Sequence, residues 1–149
     1  MYTFVLAVHN IMRWIVVVLA IITLVRAYWG WFGKRPWNQT DRKVGSFFSV
    51  SLDVQLLLGL LLYFGLSPIT RSAIQNLGAV MTNANLRFFT LEHFFYMVVA
   101  VVLVHVGTIT SRKAVEDVSK HRRAAIWFTV AVFVILLGIP WSRPLIPLF

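Results

Sequence analysis

Apolar residues run along this chain in four long blocks, at residues 2–27, 45–66, 86–110 and 124–141, with polar stretches between them. Each block is about 18–26 residues long, and ~20 apolar residues cross the ~30 Å hydrocarbon core of a bilayer. No water reaches the backbone there, so each block must satisfy its own N–H and C=O groups and reads as a helix. The pattern predicts an all-α protein, a four-transmembrane-helix bundle forming a single integral membrane domain over residues 1–149. The first block has no basic stretch before it and no small-residue cleavage site after it, so it reads as a retained helix, not a signal peptide.

Between the second and third blocks the pattern is weaker but periodic. Ser67-Pro68 is a helix start, with Ser as the cap and Pro in the first turn. Ile69, Ala73, Ile74, Leu77 and Met81 then recur at helical spacing, opposite Arg71, Gln75 and Asn76. The spacing predicts a short amphipathic helix over 68–81, lying in a membrane interface. Asn83 or Asn85 is placed to cap the third block.

Composition agrees with the membrane class. Hydrophobic residues make up 59% of the chain and charged residues 13%, against roughly 45–50% and about 25% in soluble domains. The net charge of +9 is concentrated: ten of the fourteen Lys and Arg lie in loops 26–43 and 112–123. It therefore reports topology and gives no reason to expect nucleic acid. The positive-inside rule puts those two loops in the cytoplasm and both termini outside, as in a bacterial inner-membrane protein. Trp29, Trp31, Trp37 and Trp141 fall at expected interfaces. The tail, with Pro140, Pro144 and Pro147, leaves the membrane as an extended stretch. With no cysteine, disulfides, thiolate metal sites, iron–sulfur clusters and covalent haem attachment are excluded.

A short internal repeat stands out. Residues 41–50, DRKVGSFFSV, match residues 121–130, HRRAAIWFTV, at an offset of 80 residues. Each copy opens an even-numbered helix from the same side. This suggests two helical hairpins of the same orientation, related by a pseudo-two-fold along the membrane normal.

The third block also carries Glu92, His93 and His105 inside its apolar run, and such residues mark functional sites by default. The repeat gives His93 a counterpart. His9 lies 17 residues before Arg26, and His93 lies 19 before Arg112, so their depths differ by only ~3 Å at 1.5 Å per residue. Two imidazoles at matched depth on facing helices are what bis-histidine haem b ligation requires, and a bundle core is a usual place to build such a site. Arg13, one turn inward of His9, and Arg87, outward of His93, are candidate partners for haem propionates. With this plan the chain resembles the small four-helix b-type membrane cytochromes, loosely the cytochrome b561-like ones. The resemblance covers the four spans and the pair His9 and His93. It implies a membrane electron-transfer protein or complex subunit, an electron carrier more than a stand-alone enzyme. Di-haem members place a second histidine further down on the same face. His105 is 12 residues past His93, which turns it about 120° away, so one haem at most is expected.

Other readings stay open. Asp53 and His105 fall at similar depths and are expected to meet, as a polar lock or as a proton or quinone site. Arg13 and Glu92 can form a buried ion pair, which makes the outer cluster interhelical glue in a cofactor-free scaffold subunit. His9, His93 and Glu92 suit zinc or copper chemically, though no short-range ligand motif supports it. His121, with Lys120, Arg122 and Arg123, reads as a solvated or headgroup-facing run of charge. Expected partners are the lipid bilayer, other membrane subunits or a homo-oligomer, and a quinone.

Overall fold

The structure is a computed structural model that describes residues 1–141. The expected extended tail falls almost wholly at 142–149, outside the described residues. Helices account for 89% of the described residues, with no strand among them. The order is α1 (Tyr2–Phe32), α2 (Gln39–Leu61), a π-helical turn (Leu62–Leu66), three short helices α3 (Pro68–Gln75), α4 (Leu77–Thr82) and α5 (Ala84–Arg87), a second π turn (Phe88–Glu92), α6 (His93–Lys113) and α7 (Asp117–Gly138). Four spans are long and apolar enough to cross a membrane: Tyr2–Phe32, Gln39–Leu66, Ala84–Lys113 and Asp117–Gly138. The protein is an all-α four-helix bundle with the character of an integral membrane protein.

The helices run further into the basic loops than hydropathy predicts. α1 ends at Phe32, not residue 27, and stops where Gly33 caps it and Lys34 takes φ 47°. α2 begins at Gln39, not residue 45. Asn38 accepts from the Thr40 and Asp41 amides while the Asp41 carboxylate accepts from the Asn38 amide, a capping box that pairs orphan donors reciprocally. Arg26 then closes on Asp41 at 2.7 Å. α7 begins at Asp117, not residue 124. Polar helix ends held by caps and ion pairs are invisible to an apolar count, which explains the shift.

Two further expectations change at the opposite end. The helix foreseen over 68–81 is two helices, broken at Asn76. The Asn76 side chain accepts from the Ala79 amide and starts α4, since a short polar side chain competes with the helix for backbone groups. Ser67 and Asn83 cap as expected, at α3 and α5. The third span is not one continuous α-helix, because the π turn at Phe88–Glu92 interrupts it.

Around the bundle the neighbours are α1–α2, α2–α6, α6–α7 and α7–α1, so α1 and α6 stand on a diagonal. Phe48 and Phe128, equivalent positions in the sequence repeat, are both buried and meet edge to face at 5.6 Å. A two-fold relation brings residues near its axis together in this way. Between α2 and α6 three polar rungs set the antiparallel register: Ser46 with Arg112, Ser49 with Thr108 at 2.8 Å, and Asp53 with His105 at 2.8 Å. Such side-chain bonds are typical glue between membrane helices.

Gly107 lets α6 and α7 approach. A Cβ there would lie 2.8 Å from Trp127 Cβ and 2.9 Å from the Phe128 ring. The first is the root of a side chain and cannot swing aside. Gly107→Ala is therefore expected to destabilise the bundle by about 1–3 kcal/mol through overpacking, read as a lower midpoint of thermal unfolding in detergent. An unchanged midpoint would contradict this account of the α6–α7 contact.

Candidate functional site

The site is built where α1, α2, α6 and the end of α7 converge, near the N-terminal end of α1. His9 projects from α1 and His93 is the first residue of α6. Their ring centres are 6.4 Å apart, with planes at 70°. The matched depth read from the sequence thus does bring these two imidazoles together. Both line a cavity of about 410 Å³, with Arg13, Gln55, Tyr63 and Phe89 also in its wall. That volume lies within the ~300–1,000 Å³ typical of small-molecule and cofactor sites.

Each ring is held by a different kind of partner. The N–H at His93 Nδ1 donates to the Gly138 carbonyl at 2.6 Å. Gly138 is the last residue of α7, and the final carbonyls of a helix lack intrahelical donors. Its missing side chain matters too. A Cβ there would fall 2.2 Å from Met97 Cε, the movable end of its side chain, and 3.1 Å from Tyr96 Cβ, so the glycine eases the close approach of the end of α7 to α6. The bond leaves His93 Nε2 without a hydrogen-bond partner among the described residues. His9 Nε2 lies 3.2 Å from the Gln55 amide, while His9 Nδ1 and Gln55 Oε1 are both buried and unpaired. Turning the amide over satisfies one of these atoms. Gln55 Oε1 then accepts from the N–H at His9 Nε2, and His9 Nδ1 keeps its lone pair.

Searches against protein-family models, curated proteins and solved structures found no match for this chain. The chemistry of the site therefore rests on its own geometry.

An imidazole nitrogen binds a metal at about 2 Å. Adding roughly 1 Å from each nitrogen to its ring centre, two opposed imidazoles on one metal hold their ring centres about 6 Å apart. The His9 and His93 ring centres, 6.4 Å apart, come near that spacing, with their planes at 70°. A third protein ligand is not at hand: the described residues contain no cluster of three or more His, Asp or Glu. In particular, Glu92 does not complete a zinc or copper set with the two histidines.

Glu92 also corrects the expected Arg13–Glu92 pair. Its carboxylate takes Arg87 at 2.8 Å instead. Residues five apart diverge by about 140° on an α-helix. The π turn between them closes i→i+5 bonds, and this brings Arg87 and Glu92 to one face. Arg87 is thus committed to Glu92 and is not in the cavity wall, whereas Arg13 is. Gln55, two residues from Asp53, faces the cavity and serves His9 instead. The Gly138 carbonyl had no sequence signal, since a backbone acceptor carries none.

The other singled-out residues lie elsewhere. Asp53 and His105 meet as expected but stand on the outer face of α2 and α6, outside the cavity. His121 departs from the expected solvated run. Arg122 and Arg123 are exposed, but His121 is 1% exposed and packs against Trp37, with ring centres 4.8 Å apart and planes tilted by 59°. It fills the space left by Gly30, where a Cβ would fall 2.2 Å from the ring.

Gln55→Leu keeps the bulk at this position but strips His9 of its partner in a buried setting. The expected cost is about 1–3 kcal/mol, the penalty for a buried polar group left unmade, measured as a lower unfolding midpoint. Gln55→Glu, which retains an acceptor for His9 Nε2, is expected to recover part of it.

Proposed function

We propose that the protein is a membrane electron-transfer protein or subunit that holds one b-type haem between α1 and α6, where His9 and His93 would hold the iron. The observation that carries this reading is the pair of imidazoles set one metal's width apart across a cofactor-sized cavity. The haem would supply reversible one-electron exchange at its iron.

The chain's own contributions follow from the geometry. The bond from His93 Nδ1–H to the Gly138 carbonyl fixes the tautomer that leaves Nε2 basic, as outer partners of metal-bound imidazoles commonly do. Gln55 orients His9 from α2. Tyr63, Phe89 and Phe94 supply flat apolar wall. Arg13, buried in the same wall, would place a guanidinium on the side of the cavity where a propionate could lie. By the positive-inside rule the basic end, with Arg26, Arg42, Arg112 and Arg123, faces the cytoplasm, so the site lies toward the outer side.

A cofactor-free scaffold subunit is the competing reading. It draws on the polar rungs between α2 and α6, which join two helices through protein groups alone.

One spectrum separates the two. Purified from a haem-replete host, the protein is expected to show a Soret band that shifts and sharpens on dithionite reduction. A well-folded sample without the band would sink the haem reading. His9→Ala and His93→Ala are each expected to abolish it, and His105→Ala to leave it intact. Bleaching by His105→Ala alone would overturn the assignment to His9 and His93 while keeping the cofactor. Orientation is read separately: a cysteine replacing Lys34 should resist impermeant labelling from outside in intact cells, and labelling there would invert the topology.

A further inference from the structure

Asp53 and His105 are polar groups in the wrong place for a lone bundle. Each lies well inside its span: Asp53 is ten residues from Lys43, about 15 Å, and His105 seven from Arg112, about 10 Å, at 1.5 Å per residue. Yet their side chains remain 38% and 45% exposed. The surface they break is otherwise apolar. Val50 and Leu57 flank Asp53 on α2, and Val102 and Ile109 flank His105 on α6, all four exposed. Hydrocarbon cannot solvate a carboxylate and an imidazole, and ionisable residues within membrane helices almost always face protein or a water-filled cavity.

The pair is also only half satisfied. The contact between His105 Nε2 and Asp53 Oδ1 at 2.8 Å uses one polar atom of each group. It leaves Asp53 Oδ2 and His105 Nδ1 to find partners elsewhere. An acid and a base side by side on one face are complementary to a copy of themselves turned by a two-fold axis. Isologous contacts of this kind build most closed dimers.

We propose that this face of α2 and α6 is the contact between two copies of the chain, with Asp53 and His105 of one copy set against His105 and Asp53 of the other. The four side chains then form a closed polar cluster sealed from lipid by Val50, Leu57, Val102 and Ile109. The pair stands on open helix surface and takes no part in the cavity wall, which suits an apposed helix face better than a small ligand. This inference is independent of the haem reading.

The chain has no native cysteine, so single cysteines report contacts directly. Replacing Val102 or Leu57 by cysteine and oxidising native membranes is expected to give a disulfide-linked dimer. Val18→Cys and Phe133→Cys, on exposed parts of α1 and α7, are expected to give background only. In the Val102→Cys chain, Asp53→Asn or His105→Gln should lower the cross-linked fraction about tenfold at limiting protein-to-lipid ratio, as two lost interhelical polar contacts require. Because the cysteine variants leave the pair untouched, a folding defect in the pair variants does not decide the test. Cross-linking at Val102 and Leu57 no stronger than at Val18 and Phe133 would overturn the proposal. So would pair variants that cross-link like the parent, or a monomer that retains a stoichiometric lipid-soluble quinone displaced by His105→Gln.

Discussion

Hydrocarbon offers no hydrogen bonds, and that constraint places the polar side chains that join the helices of this bundle. Water can excuse a loose polar group on a soluble protein. Here each one must find a protein partner or be expensive. Ser49 finds Thr108, Asp53 finds His105, Tyr28 finds Thr129, and His93 finds the free carbonyl at the end of α7. These bonds are few, and each joins two helices. Together they set which residue of one helix stands opposite which residue of the next, something apolar side chains facing apolar lipid cannot do. The helices exist because backbone groups must be paired, but their register is a matter of these side chains.

Close packing then does what the polar rungs leave undone. Gly30, Gly107 and Gly138 all lie where α7 or its neighbour comes too near for a Cβ. Gly30 gives His121 a slot between α1 and Trp37. Gly138 brings the end of α7 within reach of the His93 ring. The π turn at Phe88–Glu92 adds a rotation just before His93, and turns of this type recur at functional sites. It swings Arg87 onto Glu92, which neutralises a carboxylate next to the imidazole.

The fold was legible in the sequence because its signal is coarse: four apolar blocks about as long as the hydrocarbon core of a bilayer is thick leave few alternatives. The His9–His93 and Asp53–His105 encounters were legible for the same reason, since depth in a membrane helix can be counted in residues. Three things were not legible. Helix ends extended through polar residues because Asn38 and Asp41 cap each other, a contact that hydropathy does not register. Glu92 was assigned to Arg13 on the premise of uniform α-helix, and one π turn reversed that pairing. His121 looked like part of a charge run, although its burial depends on a glycine 91 residues away in the chain. Errors of this sort arise where a local irregularity or a distant small residue overrides a periodic pattern.

The two histidines of the cavity are oriented in a way that bears on assembly. Gln55, which holds His9, belongs to the same hairpin as His9. Gly138, which holds His93, belongs to the same hairpin as His93. Each half of the chain can therefore set its own imidazole before the halves meet. Docking of one hairpin on the other then completes a two-sided site from parts already aimed, and little side-chain freedom remains to be lost at that step. A half that lost its own orienting group would still dock, but it would bring a ring free to turn. The accuracy of the site is in this sense inherited from the hairpins, and the interface between them supplies only proximity.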